Sequence, residues 1–90
     1  MKKPNIVFVF ADQLRYQSCG FSGDNNAITP SLDKFAEESM NLTQAVSSMP
    51  VCSAFRASLL TGKYTTSTGM VINELRMNTN HKSIAHCLTE

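Results

Sequence analysis

Charge is scarce in this sequence, and neither sign dominates. Of its 90 residues 17% are charged, and the formal net charge is +1. A balance this close to neutral gives no electrostatic footing for nucleic acid or for an anionic membrane surface. Cysteine is sparse too. Cys19, Cys52 and Cys87 are an odd number at wide spacing without a C-x-x-C pair, which argues against a disulfide framework or a zinc module. No apolar run approaches the roughly 20 residues needed to cross a bilayer. The start of the chain lacks the pattern of a signal peptide, since Lys2 and Lys3 are followed by Pro4 and a short apolar run that Asp12 ends. A cytoplasmic location is therefore expected, unless a leader has been removed. Repeats, linkers and low-complexity tracts are also missing, so no second domain is suggested. What is left is a globular composition, 42% hydrophobic, in a chain long enough for one small domain at most.

The stretch from Val51 to Lys63 is the most informative part of what is present. Small or polar residues open it, good helix formers fill it, and Gly62 stands where a left-handed cap is expected. This predicts a helix whose first turn begins at or just after Cys52. Backbone N–H groups at a helix start, with the positive end of its dipole, favour a thiolate or a bound tetrahedral anion. Arg56 follows four residues later, on the same helical face, where a guanidinium can fork onto anionic oxygens. On the residues alone, a small buried hydrophobe at a helix start is the commoner fate of a free cysteine.

Counting decides between two cysteine–arginine motifs. A phosphate-binding loop of the tyrosine-phosphatase kind has Arg six positions after Cys, and that position here is Ser58. The segment instead resembles the sulfatase signature, Cys-x-(Pro/Ala/Ser)-x-Arg followed by an apolar stretch and Thr-Gly-(Lys/Arg). Cys52, Ala54, Arg56, Leu59, Leu60, Thr61, Gly62 and Lys63 fit it in register. The resemblance implies that Cys52 is oxidised after translation to Cα-formylglycine, whose hydrate is the nucleophile. Arg56 would stabilise charge on it, and Lys63 would be a basic residue supporting the site.

Ile6 to Ala11 is a continuous β-branched and aromatic run, bounded by Pro4-Asn5 and Asp12-Gln13. It predicts a central parallel strand buried on both faces. Asp12 and Gln13 then fall at the carboxyl end of that strand, where open α/β sheets bind ligands, and their oxygens suit a hard divalent cation. A lone aspartate at such a place more often simply ends a strand in a turn. Many sulfatases begin with a strand followed by Asp-Asp, or Asp-Gln in some branches. That resemblance implies a calcium site, with magnesium as the alternative ion, held by Asp12, Gln13 and the modified position 52.

The remaining segments predict scaffold. Ser18 to Asn26 is a loop rich in Gly, Ser, Asn and Asp, with Gly20 and Gly23 available for positive φ. Pro30 near a first turn, Thr29 as its cap and apolar Leu32, Phe35 and Ala36 predict a short amphipathic helix packed beside the sheet. Met40 to Val46 alternates as a short strand would. Val71 to Asn80 carries no assignable pattern. His81 and His86, five apart, read as solvated or capping residues rather than a metal pair. The last residues predict a helix capped by Ser83.

The resemblance covers nearly the whole chain, and it implies a fold class of α/β: the N-terminal part of an alkaline phosphatase-like three-layer fold with a mostly parallel sheet. The family's full domain is several times longer, so residues 1–90 are expected to be an incomplete N-terminal portion of a sulfatase catalytic domain, inactive alone. For the complete enzyme it implies hydrolysis of a sulfate ester, of a small molecule or a sulfated glycan. One hydroxyl of the hydrated formylglycine would attack sulfur and the other would expel sulfate, a route closed to an unmodified thiol. A formylglycine-generating maturase would be the partner. A phosphonate monoester or phosphodiester hydrolase shares this chemistry and also begins with Asp-Gln. From another class, the chain could be a non-catalytic fragment that self-associates as a homo-oligomer, because a strand made for burial on both faces leaves open edges.

Overall fold

The computed structural model describes residues 2–89. Among the described residues there are four helices, α1 (Pro30–Glu37), α2 (Cys52–Thr61), α3 (Thr65–Thr68) and α4 (Ile84–Thr89), preceded by 3₁₀ turns at Tyr16–Ser18 and Gly20–Ser22. The chain divides into two compact units between Thr43 and Gln44. Among the described residues no helix is long and apolar enough to cross a membrane.

Neither expected strand forms, and no sheet is present among the described residues. A strand completes its backbone hydrogen bonds only through a neighbour. Among the described residues neither Ile6 to Ala11 nor Met40 to Val46 is paired as a strand. Their side chains are accordingly exposed, Val7 at 86% and Val46 at 92%. Period-two alternation persists without a ladder: the rings of Phe8 and Phe10, two residues apart, lie 5.7 Å between centroids. The helix expected to pack beside a sheet, α1, consequently buries none of its residues, and Phe35 is exposed.

In the first unit, order comes from polar ties between α1 and the Gly-rich loop. Pro30 occupies the first turn of α1, where its missing N–H costs nothing. Thr29 is the N-cap residue by position, but its side chain does not cap the helix. Its hydroxyl donates to Asp33 Oδ1 (2.9 Å) and accepts the Gly20 N–H (2.9 Å). The same Asp33 oxygen accepts the Phe21 N–H at 2.7 Å. A carboxylate in the first turn also meets the positive end of the helix dipole. Gly20 is needed for space rather than for positive φ, since a Cβ there would stand 2.6 Å from Asp33 Oδ2. Gly23 does take the left-handed conformation, φ 102°. Cys19 is buried beneath this loop, and its carbonyl accepts the Ser22 and Asp24 N–H groups.

In the second unit, α2 packs against α3 and α4. The buried residues are small: Ala54 and Ala57 on α2, Thr65 and Thr68 on α3, with Met70 just after it. Burying Met70 contributes about 1.5–3 kcal/mol. Gly62 closes α2 in the left-handed conformation (φ 66°), its N–H donating to the Ser58 carbonyl at 2.8 Å. Ser83 precedes α4 as expected. Its carbonyl accepts the Cys87 N–H, while its own N–H and hydroxyl meet His86 Nδ1 at 3.1 and 2.8 Å. His86 thus takes the place of the glutamate in a capping box.

Gly20→Ala should displace the Asp33 carboxylate from Phe21 and Thr29 and destabilise the first unit by about 1–2 kcal/mol. Faster amide exchange at Phe21 with unchanged exchange in α2 is the expected outcome. Equal protection at Phe21 in both proteins would show that the carboxylate moves aside at no cost.

Candidate functional site

Cys52 is the first residue of α2, preceded by Val51 in extended conformation (φ −124°, ψ 134°). The chain enters straight from that extended residue into the helix, so residue 52 lies beside the first-turn N–H groups, which have no intrahelical acceptor. Cys52 is exposed. It is therefore not the buried hydrophobe that a free cysteine usually is, and Cys19 fills that role instead at 2% exposure. Arg56 lies one turn along α2 and is partly buried. The structure thus brings the predicted nucleophile position and the predicted guanidinium onto one helix face.

Lys63 is placed differently. It follows Gly62, past the other end of α2, about 15 Å of helix away from Cys52. Its Nζ donates to His81 Nδ1 at 3.5 Å. The chain beyond α2 is thereby tied back on itself through His81.

Asp12 and Gln13 lie in the first unit, in a tight corner of their own. The Gln13 N–H donates to Asp12 Oδ1 at 2.9 Å, and Gln13 has φ 27°, a positive value unusual for a residue with a side chain. A carboxylate and a side-chain amide at neighbouring positions are hard oxygen donors, so in kind they fit calcium or magnesium. Among the described residues, no group of three or more His, Cys, Asp and Glu is assembled that could hold a metal ion.

One residue of this region escapes the sequence pattern altogether. Asn73 Oδ1 accepts the Ser53 N–H at 2.8 Å, from 20 residues further along the chain. The signal for it was indirect: a β-branched Val51 at the N-cap position has no side-chain acceptor, so α2 needs one from elsewhere.

Comparison with known proteins gives the family. The family model described as Sulfatase matches residues 4–90. The chain belongs to the sulfatase family. It is 55% identical over 73 residues to the ulvan-active sulfatase of Formosa agariphila, covering 81% of this chain and 14% of that protein. It is 40% identical over 81 residues to an arylsulfatase of Clostridium perfringens, covering 90% of this chain and 17% of the relative. Human arylsulfatase D is 41% identical over 68 residues, 76% of this chain and 12% of that protein. The chain thus spans less than a fifth of the length of these sulfatases. No solved structure matches it. Membership implies the α/β fold of the family, while the described residues by themselves show helices and turns only.

The three thiols are sorted by packing, and this is directly measurable. Cys52 and Cys87, both exposed, should be alkylated in the folded chain, whereas Cys19 should react only after denaturant is added. Mass spectrometry of peptides after brief iodoacetamide treatment reads all three. Alkylation of Cys19 at the rate of Cys87 would mean that the first unit does not hold its loop.

Proposed function

We propose that residues 1–90 are the N-terminal portion of a sulfatase catalytic domain, one that hydrolyses sulfate esters through Cα-formylglycine formed at position 52. The observation that carries this reading is an exposed Cys52 at the first position of α2, with Arg56 one turn on, in a chain of the sulfatase family. An exposed cysteine is accessible to a maturase. A helix start offers N–H donors to sulfate oxygens, and Arg56 holds negative charge that develops beside them. Once formed, the modification supplies a hydrated aldehyde oxygen as nucleophile in place of a thiol. Asp12 and Gln13 would contribute to holding calcium, or magnesium, which supplies polarisation of the sulfate oxygens. In the complete protein the Ile6 to Ala11 run becomes a strand of the three-layer, mostly parallel sheet, which covers the apolar side chains exposed here.

The substrate is proposed to be a sulfated glycan or a small aryl sulfate, a reading supported by similarity to an ulvan-active sulfatase and to an arylsulfatase. The Asp12-Gln13 pair, which carries one charge fewer than Asp-Asp, keeps a phosphonate or phosphodiester hydrolase as the second reading. Maturation is decided first. Co-expression with a radical-type formylglycine-generating enzyme should convert Cys52 and leave Cys19 and Cys87 as thiols, by peptide mass spectrometry and an aldehyde-reactive probe. Unmodified Cys52 in the presence of an active maturase would sink the proposal.

Two further outcomes follow from the same reading. The 90 residues alone, even when matured, should not turn over an aryl sulfate above a Cys52→Ser control, because Asp12 and Gln13 supply only two of the six to eight oxygens that calcium takes. The uncovered Ile6 to Phe10 run should drive self-association into a homo-oligomer, visible as a concentration-dependent sedimentation coefficient. A monomer at every concentration with strongly protected Ile6–Phe10 amides would contradict the idea that these residues await a sheet.

A further inference from the structure

We propose that Asn73 is a positioning residue for the nucleophile at position 52, an inference that rests on the reading of position 52 given above. An N-cap side chain ordinarily satisfies the N–H of the second or third helical residue. At α2 the N-cap is Val51, which makes no such bond. The missing acceptor is Asn73 Oδ1, 2.8 Å from the Ser53 N–H. That N–H belongs to the peptide joining residues 52 and 53. The peptide is planar and the Cys52 Cα lies at one corner of it, so holding the N–H fixes the plane and the direction in which the residue 52 side chain leaves the helix.

Asn73 is itself delivered by ordered structure. After α3 the chain is capped by Gly69 (φ 74°), and the Val71 N–H donates to the Gly69 carbonyl at 3.1 Å, which bends it tightly. α3 is in turn packed on α2, with Thr65 and Thr68 buried. The capping amide thus lies in a turn five residues past an element that already rests on the helix it caps. A side chain at position 51 could satisfy the same N–H, but it would move with the fraying end; an acceptor from outside the helix holds that end against the body of the unit.

Amide exchange by NMR on this chain tests the proposal. In Asn73→Ala, exchange at Ser53 should accelerate roughly five-fold, the loss expected for one cap, and the Cys52 13Cα shift should move towards its random-coil value. Exchange at Ala57, in the middle of α2, should not change. Asn73→Asp keeps an acceptor oxygen and should restore both signals, whereas Asn73→Leu should behave as the alanine variant does. Unchanged Ser53 exchange in Asn73→Ala would overturn the proposal. So would equal acceleration at Ser53 and Ala57 in all three variants, since Asn73 would then contribute only to the stability of the unit. Both readouts are made on the unmodified thiol. Failure of a maturase to convert Cys52 would thus count against the sulfatase reading and leave the exchange result standing.

Discussion

The second unit depends on how closely helices can approach when the residues between them are small. Ala54 and Ala57 lie three apart on α2, and both are buried although neither carries more than a methyl group. The buried partners on α3 are two threonines. With so little side-chain volume between backbones, contact is made by many short-range dispersion interactions rather than by a few large groups. The third position of the Cys-x-(Pro/Ala/Ser)-x-Arg signature is Ala54, fully buried in this structure. Restriction of that position to small residues thus has a packing reason alongside any chemical one. A larger side chain there would have no room in the packed interior of this unit.

Two ways of closing a helix are visible on α2, and they serve different purposes. The carboxyl end is sealed locally: Gly62 turns left-handed, the Thr61 hydroxyl donates to the Ala57 carbonyl at 2.6 Å, and the Ser58 hydroxyl donates to the Lys63 carbonyl. Everything needed is within a few residues. At the amino end, where the chemistry is expected, the Val51 side chain makes no capping bond, and the Ser53 N–H is taken by Asn73 from a distant segment. That arrangement fits a helix start whose function is to face a ligand.

This contrast also explains what could be read in the sequence. The limits of α2, its glycine cap, the Pro30 start of α1 and the Ser83 start of α4 were legible because each rests on the local chemistry of one or two residues. Ile6 to Ala11 has every local mark of a strand and is not one here, because its hydrogen bonds need partners that residue types cannot supply by themselves. Thr29 was legible as an N-cap by position, but its hydroxyl is drawn off by Asp33 and Gly20, a tie nine residues long that periodicity does not encode. Asn73 was missed for the same reason at longer range. Of the candidate site, Cys52 and Arg56 emerged from their spacing. The place of Lys63 follows from the same glycine cap, but its bond to His81 does not, since a motif gives order along the chain and not partners across it.

The ties at the two ends of α2 are short in sequence: 20 residues from Ser53 to Asn73 at its start and 18 from Lys63 to His81 beyond its end. Closing loops of this size costs little entropy and takes a small fraction of a millisecond. A ribosome adds residues far more slowly. The helix bearing Cys52 can therefore complete its capped first turn soon after Asn73 has emerged. Strands that pair only with distant partners must wait for more chain. The topology thus separates two kinds of order: the helix that presents Cys52 rests on its own immediate surroundings, and pairing of the apolar run at the front of the chain does not.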